Sequence, residues 1–175
     1  VTSQLGVSPW TALAQGLSNV TGLGLGLITF FISVFVLFLW IPLKQKPGVG
    51  TILNAIIISL VLHYAILVLP VFEENILRLG QAILGVFITG LGSGIYLIAN
   101  LGPGPRDGLM TGLQRITNFP IAWVRSSIEI TVLTIGWSLG GVIGLGTIIF
   151  AFGIGPCLAF SLTIFGSFKS WSDFQ

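Results

Sequence analysis

The stretch LGVSPWTALAQGL at residues 5–17 returns as LGPGPRDGLMTGL at residues 101–113, a shift of 96 residues. The same shift carries GVGTI at 48–52 onto GLGTI at 144–148 without a gap. A chain that repeats itself at a fixed offset is built from two related units, so the first question is what surrounds each copy. The surroundings are apolar. Of 175 residues, 54% are hydrophobic and only 7% charged, against about 25% charged in an ordinary soluble domain. So few charges cannot cover a water-facing surface, and the mean hydropathy of +1.03 places the chain in a bilayer. The 24 glycines suit close helix–helix contacts in lipid.

Five runs are long enough to cross about 30 Å of hydrocarbon as helices: 23–43, 51–72, 79–99, 121–140 and 145–167. Half-polar alternation of the kind a membrane β-barrel requires is missing from them, so the fold class is an all-α membrane protein. Two segments of about a dozen residues, 9–20 and 105–116, are too short to cross. Each opens on a proline suited to a first helical turn, Pro9 and Pro105. They are expected to be short interfacial or re-entrant helices. The first repeat then occupies 1–72 and the second 79–175. The second copy of the motif follows a crossing helix and the first does not, so a further helix is expected upstream of Val1, giving three plus three.

Lysine and arginine placement orients the runs. With the 44–50 loop on one side, Lys44, Lys46, Arg106, Arg115, Arg125 and Lys169 fall on that side and Arg78 alone on the other. The six-residue side is the cytoplasm. Segment 101–116 and the C-terminus are therefore expected inside, and segment 1–20 outside. Three crossings per repeat turn the second copy upside down, and inverted repeats of this kind build many transporters.

The copies differ in polarity. Trp10-Thr11 becomes Arg106-Asp107, and Ser33 becomes Glu129. Gly104, Arg106, Asp107, Arg125 and Glu129 are the candidate substrate-binding residues. A Gly/Pro turn feeding a helix N-terminus, with a guanidinium beside it, favours an anion. The plainer alternative is an acid in a first helical turn beside an inside-positive anchor. Arg125 and Glu129 stand four apart on one helical face, and an ionisable group inside the membrane is a functional candidate with its partner. A purely structural bridge is the alternative. His63 with Glu129 is the candidate proton relay, against a role as hydrogen-bonded glue. Gly90/Gly94 and Gly136/Gly140 permit close backbone approach. Pro156 is expected to break or kink the last helix.

One histidine and one cysteine leave no metal centre and no disulfide framework. The motifs of hydrolases, metalloproteases and nucleotide-binding enzymes do not occur. The expectation is no enzyme, no cofactor, no metal and no nucleic acid. The expected partners are the bilayer, a small solute of anionic type and a second copy of the chain.

LGPGPRDGLMTGL at 101–113, VRSSIE at 124–129 and GWSLGGVIGLGT at 136–147 resemble the YczE/YyaS/YitT group of bacterial integral membrane proteins. LGVSPWTALAQGL and WIPLKQKPGVGT at 40–51 are similar to its YczE-like branch. The resemblance implies a multi-pass protein of the bacterial inner membrane, usually with one more N-terminal helix. It assigns no substrate, although one YczE-type member is associated with lipopeptide and polyketide antibiotic production. Two functions follow as expectations: a small-solute transporter or permease, or a non-transporting accessory or regulatory protein, linked through that member to secondary metabolism. A polar cavity lined by Glu129 and His63 would favour the first. A dry interior with an apolar groove would favour the second.

Overall fold

The computed structural model describes the backbone of residues 1–172 and the side chains of residues 1–165. Lys169, one of the charges used for orientation, lies outside the described side chains. Seven helices occur among the described residues: α1 Pro9–Thr21, α2 Leu25–Leu39, α3 Val49–Val68, α4 Asn75–Ala99, α5 Pro105–Thr117, α6 Ile121–Ser138 and α7 Leu145–Ser172. No strand occurs among them.

The offset of 96 residues reappears in the backbone. α1 and α5 begin and end 96 residues apart, as do the starts of α2 and α6 and of α3 and α7. Eight described residues have positive φ, and they form four pairs at that same offset: Gln4 with Asn100, Gly6 with Gly102, Gly22 with Asn118, and Lys44 with Gly140. A left-handed residue costs free energy unless it is glycine, or asparagine to a lesser degree. Four such bends recurring at one offset therefore reflect the same local chain path traced twice.

Three helices are long and apolar enough to cross a membrane, Val49–Val68, Asn75–Ala99 and Leu145–Phe165. A fourth is reached if α1 and α2, bent by 115° at their junction, form one broken span. The sequence expectation of five rested on runs at 23–43 and 121–140. α2 stops at Leu39, ahead of Pro42, which lacks an N–H and disfavours helical backbone before it. α6 has 18 residues but carries Arg125 and Glu129, which lower its hydropathy. α7 runs through Pro156 without interruption, so of the expected break or kink the break does not occur.

The chain divides into two compact units, each drawing on both halves of the sequence. One comprises Val1–Ser8, Pro70–Leu101 and the chain from Ile143 onward. Within it α4 lies along α7, with Gly90 against Cys157 and Gly94 against Ser161. The Ser161 hydroxyl donates to Leu91 O at 2.8 Å. The N-terminal turn is held on the start of α7: Gly146 N donates to Leu5 O at 2.6 Å and Thr147 Oγ1 to Val7 O at 2.8 Å.

The other unit, Pro9–Leu69 with Gly102–Val142, holds α1, α2, α3, α5 and α6. Here α1 packs on α6, α5 on α2, and α2 on α3. Its core gathers Trp10, Ile28, Ile32, Val36, Trp40, Met110 and Val132. Thr51 Oγ1 donates to Pro103 O at 2.7 Å and accepts Gly48 N at 3.1 Å. In the first unit Thr147 Oγ1 likewise accepts Gly144 N at 3.3 Å. Both threonines are buried.

Candidate functional site

α5 brings the candidate residues together within the second unit. Gly104 precedes it with extended backbone and no side-chain cap, Pro105 opens it, and Asp107 lies in its first turn. Gly104 has no side chain to cap the first N–H groups of α5, and the Asp107 and Asn54 side chains lie beside it. Trp40 fixes this end of the helix: its indole Nε1 donates to Pro105 O at 2.9 Å, and its ring lies directly on Gly108, where any Cβ would collide. At the other end Arg115 Nη2 donates to Leu43 O at 2.7 Å.

The Arg106 guanidinium stands 5.0 Å from the centroid of the Trp10 ring, a cation–π arrangement. Among the described residues it makes no hydrogen bond or ion pair. Trp10 and Arg106 are the residues that replace one another between the two copies of the motif, and here they touch. Trp10 is 7% exposed, and its Nε1 is buried with no acceptor among the described residues. A buried donor left unpaired costs about 1–3 kcal/mol.

Arg125 and Glu129 form an ion pair at 3.0 Å on α6. Both are partly exposed, at 44% and 27%, so the bridge itself adds little stability. It lies close enough to α5 to act on Asp107. Asp107 keeps an open side, yet the protein crowding around it removes enough hydration to raise its pKa. Arg125 and Arg106 pull it back down, and Glu129 pushes it up. Arg106 is lowered to about 10, first by burial, with Asp107 opposing. Arg106, Asp107, Arg125 and Glu129 therefore form one electrostatic cluster, as their sequence positions suggest.

The sign of the Asp107 shift gives a pH dependence. A raised folded-state pKa means that the folded chain holds its proton where the unfolded chain has lost it. The stability this contributes is complete below the ordinary carboxylate range and is lost as pH rises through the raised value. Asp107→Asn should abolish that loss. The melting temperature of the variant should fall less than that of the parent between about pH 4 and pH 7. Identical pH profiles would remove Asp107 from the cluster.

His63 is not part of it. His63 is exposed on α3, meets the Tyr64 ring edge-on at 5.2 Å and packs its Cβ beside Gly26. Among the described residues no hydrogen bond or ion pair joins it to Glu129. No group of His, Cys, Asp and Glu that could hold a metal ion occurs among the described residues.

A cavity of about 690 Å³ lies in the same unit, walled by α1, α2, α5 and α6. Trp10, Ile32, Leu109, Leu113, Ile128 and Val132 are among its lining residues. No charged side chain lines it, and neither His63 nor Glu129 does. The Thr131 hydroxyl on its wall is turned back onto Ser127 O at 2.8 Å. Trp10 itself and the cavity are not among the sequence candidates; the signal for them is that Trp10 is the residue Arg106 replaces and that apolar positions of α5 and α6 recur at helical spacing from Arg106 and Arg125.

Comparison with known proteins places these features in a family. Residues 1–163 match the family model described as "Family of unknown function (DUF6198)". The chain is similar to an uncharacterized protein of Haemophilus influenzae, 43% identical over 94% of this chain and 75% of the relative. It is 35% identical to the uncharacterized membrane protein YczE of Bacillus subtilis, over 90% of this chain and 74% of YczE. It is 27% identical to the uncharacterized protein YyaS of the same organism, over 85% and 76% of the two chains. No solved structure matches the chain.

Proposed function

We propose, from the premise that this chain belongs to the DUF6198 family and to its YczE-like branch of membrane proteins, that it is a small permease of the bacterial inner membrane. It is built from two inverted repeats, with five spans in this chain, and moves an anionic solute. The observation that carries this reading is the contact between Trp10 and Arg106. Residues at equivalent positions of two repeats meet each other only where the axis relating the repeats passes between them. The packing in this unit agrees, because α1 lies on α6 while its counterpart α5 lies on α2. In repeat-built transporters the solute site sits at such an interface. Here that interface holds the one guanidinium of the cluster without an ion-pair partner among the described residues. α6, with 18 residues, extends roughly 27 Å at 1.5 Å per residue, close to the thickness of the hydrocarbon layer.

The test is transport. Proteoliposomes of the full chain, challenged with a series of organic carboxylates, should give a saturable electrogenic or pH-linked signal. Arg106→Ala and Glu129→Gln should each abolish it while still eluting as folded protein. Unchanged transport by both variants would sink the site.

One observation favours a second reading. The cavity walls are mostly apolar and carry no charged side chain, which suits a non-transporting accessory protein that binds an apolar partner better than it suits a path for a freely soluble ion.

A further inference from the structure

The apolar cavity and the charged cluster share a wall, and the chemistry of that junction names a ligand class. On α5, Leu109 and Leu113 line the cavity, three and seven residues after Arg106, on the face that a 3.6-residue period assigns to it. On α6, Ile128 and Val132 line it, three and seven residues after Arg125. Both arginines therefore head the helical stripes that form the walls. Trp10 belongs to both regions, since its ring lines the cavity and carries the Arg106 guanidinium. At its Trp10 end the cavity thus adjoins the Arg106 guanidinium and a buried indole N–H lacking an acceptor among the described residues. The remainder is mostly hydrocarbon and uncharged.

We propose that this cavity binds one long-chain carboxylate, its hydrocarbon between α1, α2, α5 and α6 and its headgroup at Arg106. Size sets the single chain. A volume of about 690 Å³ lies within the roughly 300–1,000 Å³ range of small-molecule sites. A methylene fills about as much space as a water, roughly 30 Å³, so there is room for on the order of 20 carbons. That is about the volume of one fatty chain. Charge sets the headgroup. Arg125 is already engaged by Glu129, which leaves one guanidinium to neutralise one charge. Asp107 and Glu129 nearby repel a dianionic phosphate more than a monoanionic carboxylate. The assignment rests on reading the Arg106 cluster as an anion site. It also reconciles that reading with apolar walls, because an amphiphile needs both.

The experiment is direct binding to the full chain in phosphatidylcholine nanodiscs. Radiolabelled palmitate should saturate at one per chain. Hexadecanol and hexadecyltrimethylammonium should bind at least about tenfold more weakly, as expected for loss of a charge-assisted contact. Arg106→Gln should bring palmitate down to the level of hexadecanol, and Ile128→Trp, on the partly exposed wall, should remove saturable binding. Equal binding of palmitate and hexadecanol to the parent protein would overturn the proposal. So would the absence of saturable palmitate binding, or tighter binding of hexadecyl phosphate than of palmitate. Palmitate binding without flux in proteoliposomes upholds this site and removes the permease reading. Flux of short carboxylates without palmitate binding does the reverse.

Discussion

Gly136→Leu should leave little folded protein, whereas Gly92→Leu, an identical change on another helix, should be harmless. Gly136 sits where α6 crosses α1, and a Cβ there would collide with the backbone of Ala12 and Leu13. The contact is reciprocal: a Cβ on Gly16 would strike Gly136 O and the Leu139 side chain. Ala12 and Ala14 on the facing helix are fully buried. What a new side chain meets here is main chain, which cannot turn aside, so the helices must part. Overpacking a core costs about 1–3 kcal/mol when side chains can shift, and this site lies at or above the top of that range. For a chain of this length 3 kcal/mol is roughly 6–12 °C of melting temperature. Gly92 on α4 has nothing within 4 Å of its would-be Cβ, and leucine is the better helix former by about 1 kcal/mol. Size-exclusion melting curves of the solubilised variants separate the two cases. Equal melting temperatures would mean that α1 and α6 are not in backbone contact.

The glycine pairs show what sequence spacing can and cannot tell. Gly90 and Gly94 both serve the close contact read from their separation, against Cys157 and Ser161. Gly136 does so as well, but Gly140 lies beyond the end of α6 at φ +90, turning the chain. A spacing of four identifies a helical face, not where the helix ends. Helix starts were more legible. Pro9 and Pro105 open α1 and α5, and the Gly-x-Gly-Thr turns open α3 and α7, because proline at a first turn and a threonine accepting a turn N–H act locally. The end of α2 and the continuity of α7 through Pro156 depend on balances that a hydropathy run does not report.

The candidate site was legible to the same degree. Arg106, Asp107, Arg125 and Glu129 stand out as charges in an apolar chain, and they do form one cluster. A repeat tells which residues correspond, not which ones touch, so the stacking of Arg106 on Trp10 and the hold of Trp40 on Pro105 needed three dimensions. His63 stood out for the same reason as the others and yet lies apart from them. Rarity marks a residue as costly but does not give it a partner.

The second large expected effect concerns α6, because the inversion of the repeats depends on whether it crosses the membrane. Lys46 and Val142 occupy matching positions, 96 residues apart, in the loops before α3 and α7, and both are exposed. α3 and α4 are both long and apolar enough to cross, and two crossings leave the chain on its starting side. If α6 does not cross, Lys46 and Val142 lie on one face of the membrane. If α6 crosses, they lie on opposite faces. The positive-inside bias then puts Lys46 in the cytoplasm. Neither substitution disturbs a left-handed residue, and Cys157→Ser supplies an unreactive background at little steric cost.

The decisive measurement is labelling of Lys46→Cys and Val142→Cys in that background with a membrane-impermeant maleimide, before and after permeabilising the cells. The inverted-repeat account predicts that Val142→Cys reacts in intact cells and that Lys46→Cys reacts only once the membrane is opened. Labelling of both positions from the same side would contradict it.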